Sequence, residues 1–139
     1  MKKYILFDLD GTLTDPMEGI CKSAARGLAH FGIKADYHDL TFFIGPPLLD
    51  TYRDRYGMND EQAREAVAAF REYFQPTGIY ENEIYPGIEE MLKELQDKGY
   101  FLAMATSKPE AFADIVLRHF HIRDYIKVMA GATMDEGRT

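Results

Sequence analysis

The chain has 139 residues, a formal charge of −7, 46% hydrophobic and 28% charged residues, and one cysteine. That length suffices for one domain with a buried core, and the acidic balance excludes a nucleic acid polymer or an anionic membrane as partner, since both require a basic face. No apolar stretch approaches the roughly 20 residues of a membrane span, and Cys21 alone excludes an internal disulfide, so a cytoplasmic location is expected.

The most informative segment comes first, Tyr4-Ile5-Leu6-Phe7-Asp8-Leu9-Asp10-Gly11-Thr12-Leu13-Thr14-Asp15. Residues 4–8 predict a buried strand that delivers Asp8 to its carboxyl end. Asp10 follows two positions later, and Gly11 permits a tight turn. Two crowded carboxylates need neutralisation, which a hard divalent cation such as Mg²⁺ supplies. They also divide labour well, one attacking as nucleophile and the other shuttling a proton. A plain turn with solvated aspartates is the competing reading, and the strand leading into it favours chemistry.

From Met17 the period becomes helical, with Met17, Ile20, Ala24, Leu28 and Phe31 on one face and Gly32 as the stop. Cys21 falls within that pattern as a packed residue. Pro46 and Pro47 forbid regular helix through Thr41–Pro47, and Leu48–Tyr56 resumes one. Asp60 is placed to cap a further helix carried by Ala63, Ala66, Val67, Phe70 and Phe74. Breaks at Asp15-Pro16 and Gln75-Pro76-Thr77-Gly78 bracket this helical block. Arg53 and Arg55 offer cations to an anionic substrate, although a surface role suits them better.

Pro86-Gly87 then opens a helix of Ile88, Met91, Leu92 and Leu95, closed at Gly99. Tyr100–Ala105 has strand length and ends in Thr106-Ser107-Lys108-Pro109. A helix with Phe112, Ile115, Val116 and Phe120 follows, then a strand over Tyr125–Ala130. Alternating strands and helices predict an α/β fold, a Rossmann-like parallel sheet. The expected division is a discontinuous α/β core of residues 1–15 and 85–139, with residues 16–84 inserted as a helical cap. Three strands make a thin sheet.

Ligands of open α/β sheets sit outside the carboxyl ends of the strands, where both Asp8 and Thr106 fall. The Thr106 hydroxyl and the Ser107 backbone N–H, read as lying at a helix start, suit a phosphate. Lys108 either reaches that substrate or is a solvated residue at the helix start. His119 and His121 have a metal-like spacing, but they fall at a helix end and carry no metal role.

Phe7-Asp8-Leu9-Asp10-Gly11-Thr12-Leu13 resembles the first motif of the haloacid dehalogenase-like hydrolases, and Leu102–Pro109 is similar to their second. The phosphoglycolate-phosphatase-like group, with bacterial phosphatases described as 5′-nucleotidases, is the nearest likeness, and it covers essentially the whole chain. The resemblance implies Mg²⁺-dependent hydrolysis of a small phosphorylated metabolite, with Asp8 as the nucleophile that becomes an aspartyl-phosphate. It implies Asp10 as proton donor and then base, with Asp8 and the Asp10 backbone carbonyl at the metal, and Thr106, Ser107 and Lys108 at the phosphate. The loop at Gly45, with Arg53 behind it, matches the segment that selects substrates in this group.

The family's third-motif lysine and fourth-motif acids have no counterpart here. Gly131–Thr139 resembles only the approach to that lysine, Asp135 and Glu136 sit too early, and neither Arg138 nor Lys127 is an obvious substitute. The expectation is therefore the N-terminal portion of a longer phosphatase, inactive or weak alone. A sugar-phosphate mutase and a non-catalytic phosphate- or partner-binding fragment are the alternatives.

Overall fold

The computed structural model describes residues 3–132. Three parallel strands form the main sheet in the order β1-β4-β5, where β1 is Lys3–Phe7, β4 is Tyr100–Pro109 and β5 is Val128–Ala132. Ile5 lies opposite Leu102 and Phe7 opposite Met104, and across the next pair Met104 lies opposite Met129. Leu102 and Met104 are buried, and Ile5, Phe7 and Met129 pack against the same core. The sheet thus turns one face inward.

The helices on that face are α4 (Ile88–Asp97) and α5 (Glu110–His119). Both crossovers run in the same direction across the sheet, and right-handed connections of that kind place their helices on one face. The opposite face stays open: Tyr4 is 71%, Leu6 68% and Val128 54% exposed.

Between β1 and α4 the chain makes a helical layer. Its helices are α1 (Met17–Ala29), α2 (Leu48–Tyr56) and α3 (Asp60–Phe74). The chain leaves and re-enters the α/β layer through a short antiparallel pair, β2 (Thr14–Asp15) with β3 (Glu83–Ile84). The sequence pattern does not register two-residue strands, because no period can develop over that length.

Asp15 Oδ1 accepts from the Met17 N–H at 3.1 Å and steadies the start of α1. At its end Gly32 adopts φ +74° and donates to the Ala29 carbonyl, as expected of a helix stop. The helix cap of α3 differs from expectation. Asn59, not Asp60, is the N-cap, and its side chain and that of Gln62 exchange hydrogen bonds with each other's backbone N–H.

Two other boundaries are corrected. β4 continues past Ala105 through a register irregularity to Pro109, which pairs with Ala132. Residues Arg123–Tyr125 form a 3-10 turn, so β5 begins three residues later than the apolar run suggests. There Arg123 reaches the Ile126 carbonyl at 2.7 Å and Asp114 of α5 at 2.7 Å, which holds the turn against the helix.

Candidate active site

β1 stops at Phe7, so Asp8 is the first residue beyond it. Its Oδ1 accepts from the Leu9 N–H at 2.7 Å, within its own loop. The N–H groups of Thr12, Leu13 and Thr14 all converge on the Leu9 carbonyl at 3.0–3.2 Å. Gly11, at φ +81°, closes the turn by donating to the Thr14 carbonyl at 2.8 Å. Leu9 and Leu13 are fully buried and anchor the loop in the core. Asp8, just before the first anchor, stays exposed, and Asp10, between the two, is half-buried.

Asp10 has one oxygen, Oδ2, 3.4 Å from the Lys108 ammonium. Its other oxygen, Oδ1, is buried without a hydrogen-bond partner. Lys108 is 1% exposed. Its Nζ also lies 4.9 Å from the centroid of the Phe74 ring, at the end of α3. Its backbone N–H donates to Thr106 Oγ1 at 3.1 Å. The structure therefore unites Asp8, Asp10, Thr106 and Lys108 at the carboxyl ends of two adjacent parallel strands, and it overturns the solvated reading of Lys108.

Ser107 differs from expectation. Helix α5 starts at Glu110 with Pro109 as its N-cap, so the Ser107 N–H belongs to the irregular end of β4 and not to the first turn of a helix. Pro109 (φ −53°, ψ 135°) bars Lys108 before it from the helical region, so the helix cannot start earlier. Any anion at this N–H meets a strand terminus instead of the helix dipole.

Arg53 is committed elsewhere. Its guanidinium bonds Asp60 at 2.8 Å and Asp50, and the guanidinium holds the Asp60 carboxyl below the usual carboxylate range. Those ion pairs, within one helix and to the start of the next, explain its place better than substrate binding does. Gly45 sits at φ +104° on an exposed turn. Lys127 donates to the Asp124 carbonyl at 3.1 Å and so caps its own turn. Asp135, Glu136 and Arg138 lie outside the described residues. Phe74 was legible only as a core position of its helix, and nothing in a helical pattern reveals which partner a buried ring will meet.

Among the described residues no three His, Cys, Asp or Glu side chains gather as a metal cage. Mg²⁺ does not need one, since it keeps several waters and takes one or two carboxylates plus substrate phosphate oxygens. An exposed carboxylate on Asp8, two positions from the Asp10 backbone carbonyl on one loop just past a strand, fits that habit.

The profile of the family described as "Haloacid dehalogenase-like hydrolase" matches residues 5–138. The chain belongs to that family. It is 48% identical over 136 residues to a 5′-nucleotidase of Pseudomonas aeruginosa, covering 97% of this chain and 62% of that one. It is 42% identical to the tyrosine-protein kinase PtkA of Mycobacterium tuberculosis, covering 98% of this chain and 46% of that protein. Among solved structures, a predicted phosphatase from Clostridium acetobutylicum superposes with a TM-score of 0.93 at 42% identity, covering 97% of this chain and 63% of the other. The chain thus spans less than two thirds of these haloacid dehalogenase-like relatives. The Clostridium structure shares the parallel α/β sheet described above.

Proposed function

We propose that this chain carries the nucleophile and the acid–base group of a Mg²⁺-dependent phosphatase acting on small phosphate monoesters. The observation that carries the reading is the Asp8-Leu9-Asp10 loop, set at the end of β1 beside the Thr106 end of its parallel neighbour, with a buried lysine on the second acid. Family membership and the resemblance to a 5′-nucleotidase support it.

Asp8 is exposed, as a nucleophile must be. Its carboxylate oxygen attacks phosphorus, the bond from phosphorus to the ester oxygen breaks, and Asp10 gives the leaving oxygen a proton. Water then gives a proton back to Asp10 and attacks the phosphorus of the aspartyl-phosphate, releasing inorganic phosphate and restoring Asp8. The Thr106 hydroxyl and the Ser107 N–H hold phosphoryl oxygens during both steps. Mg²⁺, held by the Asp8 carboxylate and the Asp10 backbone carbonyl, would neutralise charge on the phosphoryl group. Residues 16–84 act as a cap over this site, and Gly45 lies on the loop that would face the substrate.

The chain alone is expected to turn over slowly, because one missing charge-stabilising donor costs about 10²–10³ in rate. The test compares this chain with the same chain continued through the C-terminal third of the Pseudomonas relative. Mg²⁺-dependent phosphate release should rise at least tenfold in the longer protein and be abolished by Asp8→Asn, while Asp10→Asn slows it by about 10²–10⁴. Product analysis separates the outcomes: inorganic phosphate supports hydrolysis, whereas isomerised sugar phosphate or phosphotyrosine refutes it.

A further inference from the structure

Lys108 is the most unusual charged residue outside the acid pair. A lysine that is 1% exposed is rare unless its charge is paired. Here the pairing is sparse. Among the described residues Nζ makes no hydrogen bond, and it is stabilised by Asp10 Oδ2 at 3.4 Å and the face of Phe74 at 4.9 Å. An ammonium over an aromatic face and beside a carboxylate recovers part of the cost of leaving water. Phe74 is itself 2% exposed and leans on Phe112 of α5 with ring centroids 5.6 Å apart.

The lysine therefore touches three elements at once: the loop after β1, the end of β4 through its own backbone, and the end of α3. We propose that Lys108 is a positioning residue for Asp10, clamped by Phe74, so that the seating of α3 on the α/β layer sets the orientation of the acid–base carboxylate. This rests on the phosphatase reading above, and it gives Lys108 a different task from gripping phosphate. With Oδ2 engaged by the ammonium, Oδ1 is the oxygen left for proton transfer. A residue of the helical layer then governs chemistry at a strand end without touching substrate.

The two roles separate experimentally on this chain. A phosphate ligand, when removed, weakens phosphate binding; a positioning lysine does not. Inorganic phosphate affinity in the presence of Mg²⁺ should change less than threefold in Lys108→Met. The carboxyl ¹³C resonance of Asp10 should shift in that variant, and shift less but in the same direction in Phe74→Leu, which alters neither charge. Where turnover is measured, kcat should fall by about 10–10² in Lys108→Met with KM within threefold, the cost of a misplaced reacting group.

A tenfold loss of phosphate affinity in Lys108→Met overturns the proposal, and so does an Asp10 resonance that stays put in either variant. Wild-type chain that fails to bind phosphate at all counts against the phosphatase reading itself. Wild-type chain that binds while Lys108→Met does not counts against the positioning role alone.

Discussion

At the scale of single residues, burial decides chemistry. Asp8 and Asp10 differ by two positions, yet the first is exposed and the second is half-buried on a lysine. Cys21 shows the inert counterpart. It is fully buried in α1, and burial, with a smaller contribution from the Asp15 charge, pushes its thiol up to about 11. The protonated thiol is favoured in the folded chain, so the unfolded chain ionises first as pH rises past 9. Stability from this group should thus be present at pH 8 and decline between pH 9 and about 11, by up to roughly 2 kcal/mol. Denaturant midpoints of wild type and Cys21→Ala measured across that window test this, and parallel curves would contradict it. The place of Asp8 just past a strand was legible in sequence because a short, β-rich apolar run leads into it, whereas Thr106, expected at a strand end, lies within β4. The engagement of Lys108 was not legible, since a lysine after a strand carries no mark of the ring and carboxylate that will enclose it.

At the scale of elements, the helical layer depends on close approach. A Cβ on Gly27 of α1 would lie 2.2 Å from the Tyr52 hydroxyl and 2.8 Å from the Ala66 carbonyl oxygen. That hydroxyl donates to the Ala24 carbonyl at 3.0 Å, tying α2 to α1. Intrinsic propensity favours alanine over glycine in a helix by about 1 kcal/mol. Packing predicts the opposite sign, so Gly27→Ala should destabilise the chain by about 1–3 kcal/mol in urea unfolding, and a stabilised variant would contradict the packing. Helix existence and the apolar faces of α1, α3, α4 and α5 were readable from their period. Their caps were less so: Asn59 and Asp60 are both good caps by type, and only the reciprocal bond with Gln62 selects the first. The strand ends were missed for a similar reason, because Pro109 can begin a helix or prolong a strand.

At the scale of the whole molecule, a parallel sheet is ordinarily covered on both faces. Here Tyr4, Leu6 and Val128 lie exposed on the same side, opposite the helices. The chain is accordingly expected to bind a hydrophobic dye or to associate with rising concentration, and Tyr4→Lys with Leu6→Lys should suppress both in fluorescence and sedimentation. A monomeric wild type that leaves the dye dark would contradict that expectation. This openness was foreshadowed by the thin three-stranded sheet, whereas the side on which it falls follows only from the crossover direction. The central claim, covalent capture of phosphorus by Asp8, is tested most directly by acid-quenching the chain with Mg²⁺ and p-nitrophenyl phosphate and mapping the added phosphoryl group by mass spectrometry. The account predicts the label on Asp8, absent in Asp8→Asn and longer-lived in Asp10→Asn; ester hydrolysis that proceeds with Asp8 unlabelled, or undiminished in Asp8→Asn, would contradict it.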